Sequence, residues 1–320
     1  MVNISNIVPV QQTPLKLKIL ITGGAGYKGI VLTTKMLEQG HKVTILDNFM
    51  YGYEPVLHLV KNKNLTIIKA DIRNKIATLS EYDFIYHLAG ISGYPACSAN
   101  PHSAHLINVQ ATRNMIRKLS KDQCIVYAST TSFYGRSGDA CTEETPITPF
   151  SVYANTKYLA EQITMEKENA VALRFATIFG FSPKMRIDLM VNDFTYKAVK
   201  EGVLVLFDSF AKRTFMHIED AADCYNMTLE KFGKMKGNIF NAGGNQLNYS
   251  KLEIANFIRE RVDFKIIDSQ MQDKDLRHFM VNYDKIEKIG FVPKISVQEG
   301  IDELLKIYDF YEYYSHFKTI

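Results

Sequence analysis

The chain has 320 residues, 46% hydrophobic and 22% charged, which is enough for one large domain or two modest ones with a sizeable core and excludes a disordered or fibrous chain. A net charge of +4 with no block of five like charges gives no case for nucleic acid. No uninterrupted apolar run exceeds five residues, as in Val203 to Phe207, far short of the roughly 20 a bilayer span needs, so no membrane partner is expected either.

The first fourteen residues lack a basic n-region and are interrupted by Pro9, so they do not read as a secretory signal, and a cytoplasmic protein is expected. Cys97, Cys124, Cys141 and Cys224 show neither CxxC nor Cys/His ligand spacing, so reduced thiols and no metal site are expected.

Lys18 to Thr22 reads as the first strand. It runs into Thr22-Gly23-Gly24-Ala25-Gly26-Tyr27-Lys28-Gly29 and a helix through Met36 and Leu37. Glycines at 23, 26 and 29 permit a tight turn, a close approach of backbone to a pyrophosphate, and close packing of helix on strand. The second strand, Lys42 to Asp47, ends in a carboxylate placed to bind a ribose 2′-hydroxyl and to repel a 2′-phosphate, which points to NAD in preference to NADP. Tyr27 and Asn48 are read with these residues as cofactor-binding. Lys28 stands where an apolar residue is usual, and either reaches a phosphate or extends along the surface.

Leu65 to Ala70 is the third strand, followed by Asp71-Ile72; this pair is placed to bracket an adenine ring, the alternative being a plain strand-end acid beside a core Ile. The fourth, Asp83 to Leu88, leads through His87-Leu88-Ala89-Gly90, small residues across which a cofactor can lie. His87 reads as a satisfied interior histidine rather than a catalyst. A helix follows from Pro101 to Ser120, with the proline in its first turn. It carries two apolar stripes, one through Leu106, Val109, Ile116 and Leu119 and one through Ala104, Ile107, Ala111 and Met115. A subunit interface and burial within one chain fit this equally, and a homodimer or higher homo-oligomer is expected. Asn108 on this helix is counted with the cofactor residues.

The fifth strand, Cys124 to Ser129, ends in the hydroxyl cluster Ser129-Thr130-Thr131-Ser132, and the sixth spans Val171 to Phe175. Strands separated by helices mean βαβ units, so the fold class is α/β: a Rossmann-type parallel sheet with helices on both faces. After Gly180 the rhythm changes. Ser250 with Glu253 and Ser296 with Glu299 have capping-box spacing, and a last helix, about Ser296 to Tyr314, puts Val297, Ile301, Leu304, Leu305 and Tyr308 on one face. The expected division is an NAD-binding domain, 15–180 with 214–240, and a smaller, discontinuous substrate domain, 181–213 with 241–314.

Tyr153 and Lys157 lie four apart in a predicted helix, so both project from one face. The spacing recurs at Tyr196/Lys200 and Tyr314/Lys318. Only the first pair follows a strand-end hydroxyl cluster, where a parallel sheet collects its ligands; the others read as surface. A phenol of pKa about 10 is a poor base at neutral pH, and an adjacent ammonium with a cationic nicotinamide stabilises its phenolate; a shift of ~3 units corresponds to roughly 4 kcal/mol. Tyr153 with Lys157 can therefore take a proton from a sugar hydroxyl while hydride leaves the same carbon, and Thr130 can hold the reacting oxygen.

With these residues in place, the sequence resembles the extended short-chain dehydrogenase/reductase family, the NAD-dependent sugar epimerases and dehydratases. The matching features are Thr22-Gly23-x-x-Gly26-x-x-Gly29, Asp47, Asp71-Ile72, His87 to Gly90, Asn108-Val109, Ser129 to Gly135, Tyr153-x-x-x-Lys157, Leu173-Arg174-Phe175 and Arg213 to His217, covering nearly all of the chain from Leu15. The stretch Phe175 to Phe194 is similar to a subgroup that includes a GDP-linked heptose C4 dehydrogenase.

The resemblance implies a nucleotide-sugar substrate met by Asn192, Arg213 and Arg277, with Thr130 and Thr177 near the sugar; Lys184 and Arg186 are weaker candidates. Two departures narrow it. Thr131-Ser132 replaces the Asp-Glu pair of the dehydratases, arguing against dehydration, and Thr177 replaces an Asn of many epimerases, arguing against a UDP-hexose epimerase. What the resemblance leaves is redox chemistry at C4 of a GDP- or UDP-linked hexose or heptose through a 4-keto species, as 4-epimerase or C4 dehydrogenase. The alternatives are a 4-keto sugar reductase and a non-catalytic NAD-binding sensor or scaffold.

Overall fold

The structure is a computed structural model, and it describes residues 16–74, 79–269, 271 and 277–312. Its strands in chain order are β1 (Lys18–Thr22), β2 (Lys42–Asp47), β3 (Leu65–Lys69), β4 (Phe84–His87), β5 (Cys124–Thr130), β6 (Arg136–Cys141) and β7 (Ala170–Phe175). Then come β8 (Thr177–Phe179), β9 (Val203–Phe207), β10 (Lys212–His217), β11 (Asn238–Ala242), β12 (Asn248–Ser250), β13 (Lys265–Ser269) and β14 (His278–Val281). The six strands expected in the first half are all present, with ends moved by a residue or so.

Side-chain alternation explains the layers. Ile19 and Ile21 of β1, Phe84 and Tyr86 of β4, and Val126 and Ala128 of β5 are buried in one cluster with residues of the Tyr27–Glu38 and Ile218–Glu230 helices. Leu20, Ile85 and Ile125, one step along the same strands, belong to another cluster with Ala111 and Met115. A strand apolar on both faces needs a helix on each. The seven parallel strands lie in the order β11-β7-β5-β4-β1-β2-β3. The order reverses between β1 and β4, which opens a crevice beyond their carboxyl ends, where doubly wound sheets bind ligands.

The remaining strands form β12-β10-β8 and the two parallel pairs β13-β9 and β14-β6. Phe179, Val191, Leu204 and Phe215 gather with Ile254, Ile258, Val297, Ile301, Leu304 and Tyr308 into a separate hydrophobic cluster. The segments after Gly180 therefore have a core of their own. Residues 279–291 depart from the expected division: Phe279, Val281, Tyr283, Ile286 and Phe291 are buried in the first cluster, because β14 pairs with β6 and the Asp284–Ile289 helix packs on β11. Likewise β10 joins the three-stranded sheet, while β11 enters the main sheet as its seventh strand and runs to Ala242.

The helix from Pro101 is interrupted by a π turn at Leu106–Gln110 and ends at Ile116 rather than Ser120. Ala104, Ala111 and Met115 of one stripe are buried, and Leu106, Ile116 and Leu119 of the other are half-buried; the helix also packs on the Val152–Met165 helix. Both capping boxes form, with Ser250 and Ser296 each accepting from the amide three residues on. The last helix runs Val297–Tyr308. The signal-peptide reading of the N-terminus, residues 313–314 of the expected last helix and the Tyr314/Lys318 pair fall outside the described residues. Among the described residues no helix is long and apolar enough to cross a membrane.

Candidate active site

The loop after β1 folds tightly because two of its positions exclude a side chain. Gly23 has φ +71°, and a Cβ there would stand 2.7 Å from the Ala89 amide nitrogen; at Gly29 it would stand 2.1 Å from the Gly23 carbonyl oxygen. Asp47, at the end of β2, accepts from the Ala25 amide (3.1 Å) and the Phe49 amide (2.9 Å), tying the loop to the next strand. Burial holds its carboxyl above the usual range, and these amides pull the other way.

Loop and strand ends open on a cavity of about 680 Å³. Of the expected cofactor residues, Gly23, Gly26, Tyr27, Lys28, Gly29, Asp47, Asn48, Asp71, Ile72, Leu88, Ala89 and Gly90 line it, and so do Thr130, Tyr153, Lys157, Thr177, Arg213 and Arg277. Asp71 is held by Arg73 at 2.7 Å, whose hydrogen bonds lower its pKa.

The register brings the reactive groups to one place. His87 of β4 pairs with Tyr127 of β5, so β5 carries Ala128, Ser129 and Thr130 past the end of its neighbour, and Thr130 lies opposite Phe175 of β7. The Thr130 hydroxyl accepts from the Ser132 amide at 3.1 Å, which leaves its own O–H free to turn to a ligand. Tyr153 and Lys157 come from the Val152–Met165 helix, whose N-cap Ser151 accepts from the Ala154 amide. The Lys157 ammonium lies 4.3 Å from the centre of the Tyr127 ring. Burial lowers its pKa to about 7, against the opposing pull of Cys97 and Glu161.

Beneath these groups lies a polar network that the sequence does not announce. Glu161, one turn beyond Lys157, is fully buried and pairs with Arg174 at 2.8 Å, and it accepts from the Ser129 hydroxyl at 2.6 Å. Arg174 also donates to Tyr134, which donates to Asn241. A buried network with its members paired fixes the strand end that carries Thr130. His87 is fully buried between the Thr22 and Thr112 hydroxyls, 2.7 and 2.8 Å away, and burial with the Lys157 charge lowers its pKa to about 3; it is a neutral interior histidine.

Three residues take other places than expected. Asn108 does not line the cavity: its amide bonds the Ile91 backbone and the Thr156 hydroxyl, shaping the loop after Gly90. Asn192 does not line it either; fully buried, it accepts from the Gly180 amide and donates to the Arg186 carbonyl, bracing the segment between them. Of the two courses open to Lys28 it takes the one into the cavity, its ammonium 4.3 Å from the centre of the Phe175 ring. Tyr196 is no surface residue; it is half-buried, edge-on to Tyr308, and away from the cavity, whereas Lys200 is exposed. Arg186 gains weight. It lines the cavity within electrostatic reach of Tyr153, doubly bonded to Asp188 and donating to Ser92 at 3.3 Å. Lys184 and Ser92 line the cavity as well. Arg186 and Ser92 are 94 positions apart, a juxtaposition that local spacing does not reveal.

A backbone cradle that a Cβ would fill, an acid at the end of β2 and a crevice at the strand-order reversal fit a dinucleotide with its phosphates at the loop. Joined to a Tyr-x-x-x-Lys helix beside a strand-end hydroxyl, they define a Rossmann-fold oxidoreductase of the tyrosine-lysine type. The chain belongs to the NAD dependent epimerase/dehydratase family, which it matches over residues 19–243, and its cofactor is NAD. It is 30% identical to UDP-glucuronic acid decarboxylase 2 of Arabidopsis thaliana over 91% of this chain and 68% of that one. To CDP-paratose 2-epimerase of Salmonella typhi it is 28% identical over 92% and 98%. Among solved structures, UDP-glucuronic acid 4-epimerase from Bacillus cereus, in complex with UDP-glucuronic acid and NAD, superposes with a TM-score of 0.80 at 23% identity, covering 92% of this chain and 99% of that one. Pal from Bacillus thuringiensis gives 0.82 at 25%, covering 91% and 98%.

Proposed function

We propose that this enzyme oxidises C4 of a nucleotide-activated sugar to a 4-keto species and, as a 4-epimerase, returns hydride to the opposite face. The observation that carries this is the meeting of Thr130, Tyr153 and Lys157 with the glycine loop in a single cavity. NAD, when bound, supplies the hydride acceptor and donor. Gly23, Gly26 and Gly29 hold its diphosphate, Asp47 its ribose, and Asp71 with Ile72 its adenine. Tyr153, as phenolate, takes the proton from the C4 hydroxyl; the Lys157 ammonium stabilises the phenolate, and Thr130 donates to the reacting oxygen.

The acidic residues lining the cavity are Asp47, Asp71 and Asp188, among the described residues. Asp47 and Asp71 belong to the adenosine end in this reading, and Asp188 is paired with Arg186. No carboxylate is therefore offered beside Thr130 to eliminate water, which favours epimerase or dehydrogenase over dehydratase. In the second part, 181–213 with most of the segments after 242, Arg213 and Arg277 receive the substrate diphosphate through charge-assisted bonds. Arg213 is almost fully buried and Arg277 donates to Ser132 at 2.8 Å, so both are held in place. The relatives' names make UDP-glucuronic acid the first substrate to try; the GDP-heptose expectation is the rival. A homodimer or higher homo-oligomer belongs to the same reading, and light scattering tests it.

The test of function is incubation of the purified protein with UDP-, CDP- and GDP-linked sugars, followed by absorbance at 340 nm and by NMR of the sugar. An epimerase gives the C4 epimer without net absorbance. A dehydrogenase gives a ketone with stoichiometric absorbance, and no change with any donor contradicts the proposal.

A further inference from the structure

One cation in the cavity has no part in the chemistry derived above. Lys28 stands at the second position of the Tyr27–Glu38 helix, and its ammonium lies over the Phe175 ring. Phe175 is the register partner of Thr130, and Lys157 lies over Tyr127 on the same strand as Thr130. Two ammonium groups thus flank the reacting end of the cavity. The titratable groups facing Lys28 are Lys157 of the Val152–Met165 helix, Arg186 of the following loop region and the Cys224 thiol of the Ile218–Glu230 helix. Burial, Lys157 and Arg186 together hold the Lys28 pKa at about 7.

We propose that Lys28 biases the redox state of the bound cofactor: its ammonium disfavours the cationic nicotinamide of NAD+ relative to the neutral ring of NADH. The inference rests on the reading that this cavity holds NAD with its reacting ring beside Tyr153. Oxidising the sugar breaks the C4–H and O–H bonds and forms a carbonyl. The hydride, two electrons with one proton, goes to the nicotinamide, and the second proton goes to Tyr153. The ring loses its positive charge in that step, so a neighbouring ammonium favours it. Lys28 is charged below a pKa of about 7, so the bias is present at pH 6 and fades as the pH rises.

The experiment is calorimetric titration of the full chain with NAD+, NADH and ADP-ribose at pH 6 and pH 9, in wild type, Lys28→Met and Lys28→Arg. At pH 6 the ratio of Kd for NAD+ to Kd for NADH should be about tenfold higher in wild type than in Lys28→Met, a difference of one pKa unit in interaction. This excess should shrink by pH 9 in wild type and persist in Lys28→Arg, while ADP-ribose affinity stays level in Lys28→Met. An equal loss of affinity for all three ligands in Lys28→Met would make Lys28 a diphosphate ligand and overturn the proposal. An unchanged ratio in a variant that still binds ADP-ribose would overturn it too. Failure of wild type to bind ADP-ribose would instead contradict the cofactor site itself.

Discussion

Around Gly23 the cavity wall is backbone, whereas around Arg186 and Arg213 it is made of side chains sent in from separate stretches of the chain. The first wall is built by the short run Gly23 to Gly29 that closes on itself, and its chemistry follows from amide groups and a helix end. The second depends on Ser92, Lys184, Arg186, Arg213 and Arg277 being brought together by the small sheets and the second hydrophobic cluster. A wall of backbone suits a ligand that does not vary, and a wall of side chains can be altered one residue at a time. The contrast teaches that the cofactor site rests on backbone here and the substrate wall on individual side chains.

The largest effect is expected between the walls. Tyr153→Phe removes the ionisable oxygen and little volume, so turnover should fall by about 10³-fold, within the range for general acid-base groups, with NAD affinity within about twofold of wild type. Tyr196→Phe, with the same local spacing outside the cavity, should leave turnover unchanged; single-turnover absorbance checks both. Next, Gly29→Ala places a methyl against the Gly23 carbonyl and should weaken NAD binding by about 100-fold while nucleoside diphosphate binding at the arginines survives. Calorimetry with both ligands, beside a melting curve, measures this, and equal loss of both would erase the distinction between the walls.

Arg213→Ala should raise the substrate KM by about tenfold to 100-fold with a smaller fall in kcat, since a diphosphate is held alike in ground and transition states. NAD affinity should stay level. If the variant instead melts early and binds UDP and GDP normally, Arg213 is a packing residue. The smallest effect is expected from Asp47→Ala, which should narrow the preference for NAD over NADP by about tenfold, read as the ratio of two Kd values.

The same contrast sets what could be read in advance. The glycine loop, Asp47 and the six strand runs were legible because each is a local pattern: period-two apolar residues, glycines at fixed offsets, an acid at a strand end. Tyr153 and Lys157 were legible because helix geometry puts them on one face and the hydroxyl cluster marks the strand end. For Asn192 and Asn108 the sequence does not separate two uses, because an amide serves a ligand and a buried backbone group equally well; in the fold both bond loops. Arg186 was undervalued for the same reason, since its partner Ser92 is remote in sequence. The Glu161–Arg174 pair was invisible because a helix acid and a strand arginine carry no mark of meeting in the interior. Residues 279–291 join the first core because β14 pairs with β6, and although β14 is apolar, its partner Arg136–Cys141 has no apolar pattern to mark it as a strand.

The central claim is that C4 of a nucleotide sugar exchanges a hydride with NAD beside Tyr153. The most direct measurement uses UDP-glucuronic acid, and GDP- and CDP-sugars in parallel, carrying deuterium at C4, with mass spectrometry of the cofactor and NMR of the sugar. The account predicts that the label reaches the nicotinamide, and that it then returns to C4 in the opposite configuration in an epimerase or remains on the reduced cofactor in a dehydrogenase. Deuterium retained at C4 with unchanged configuration for every donor, and none on the cofactor, would contradict it.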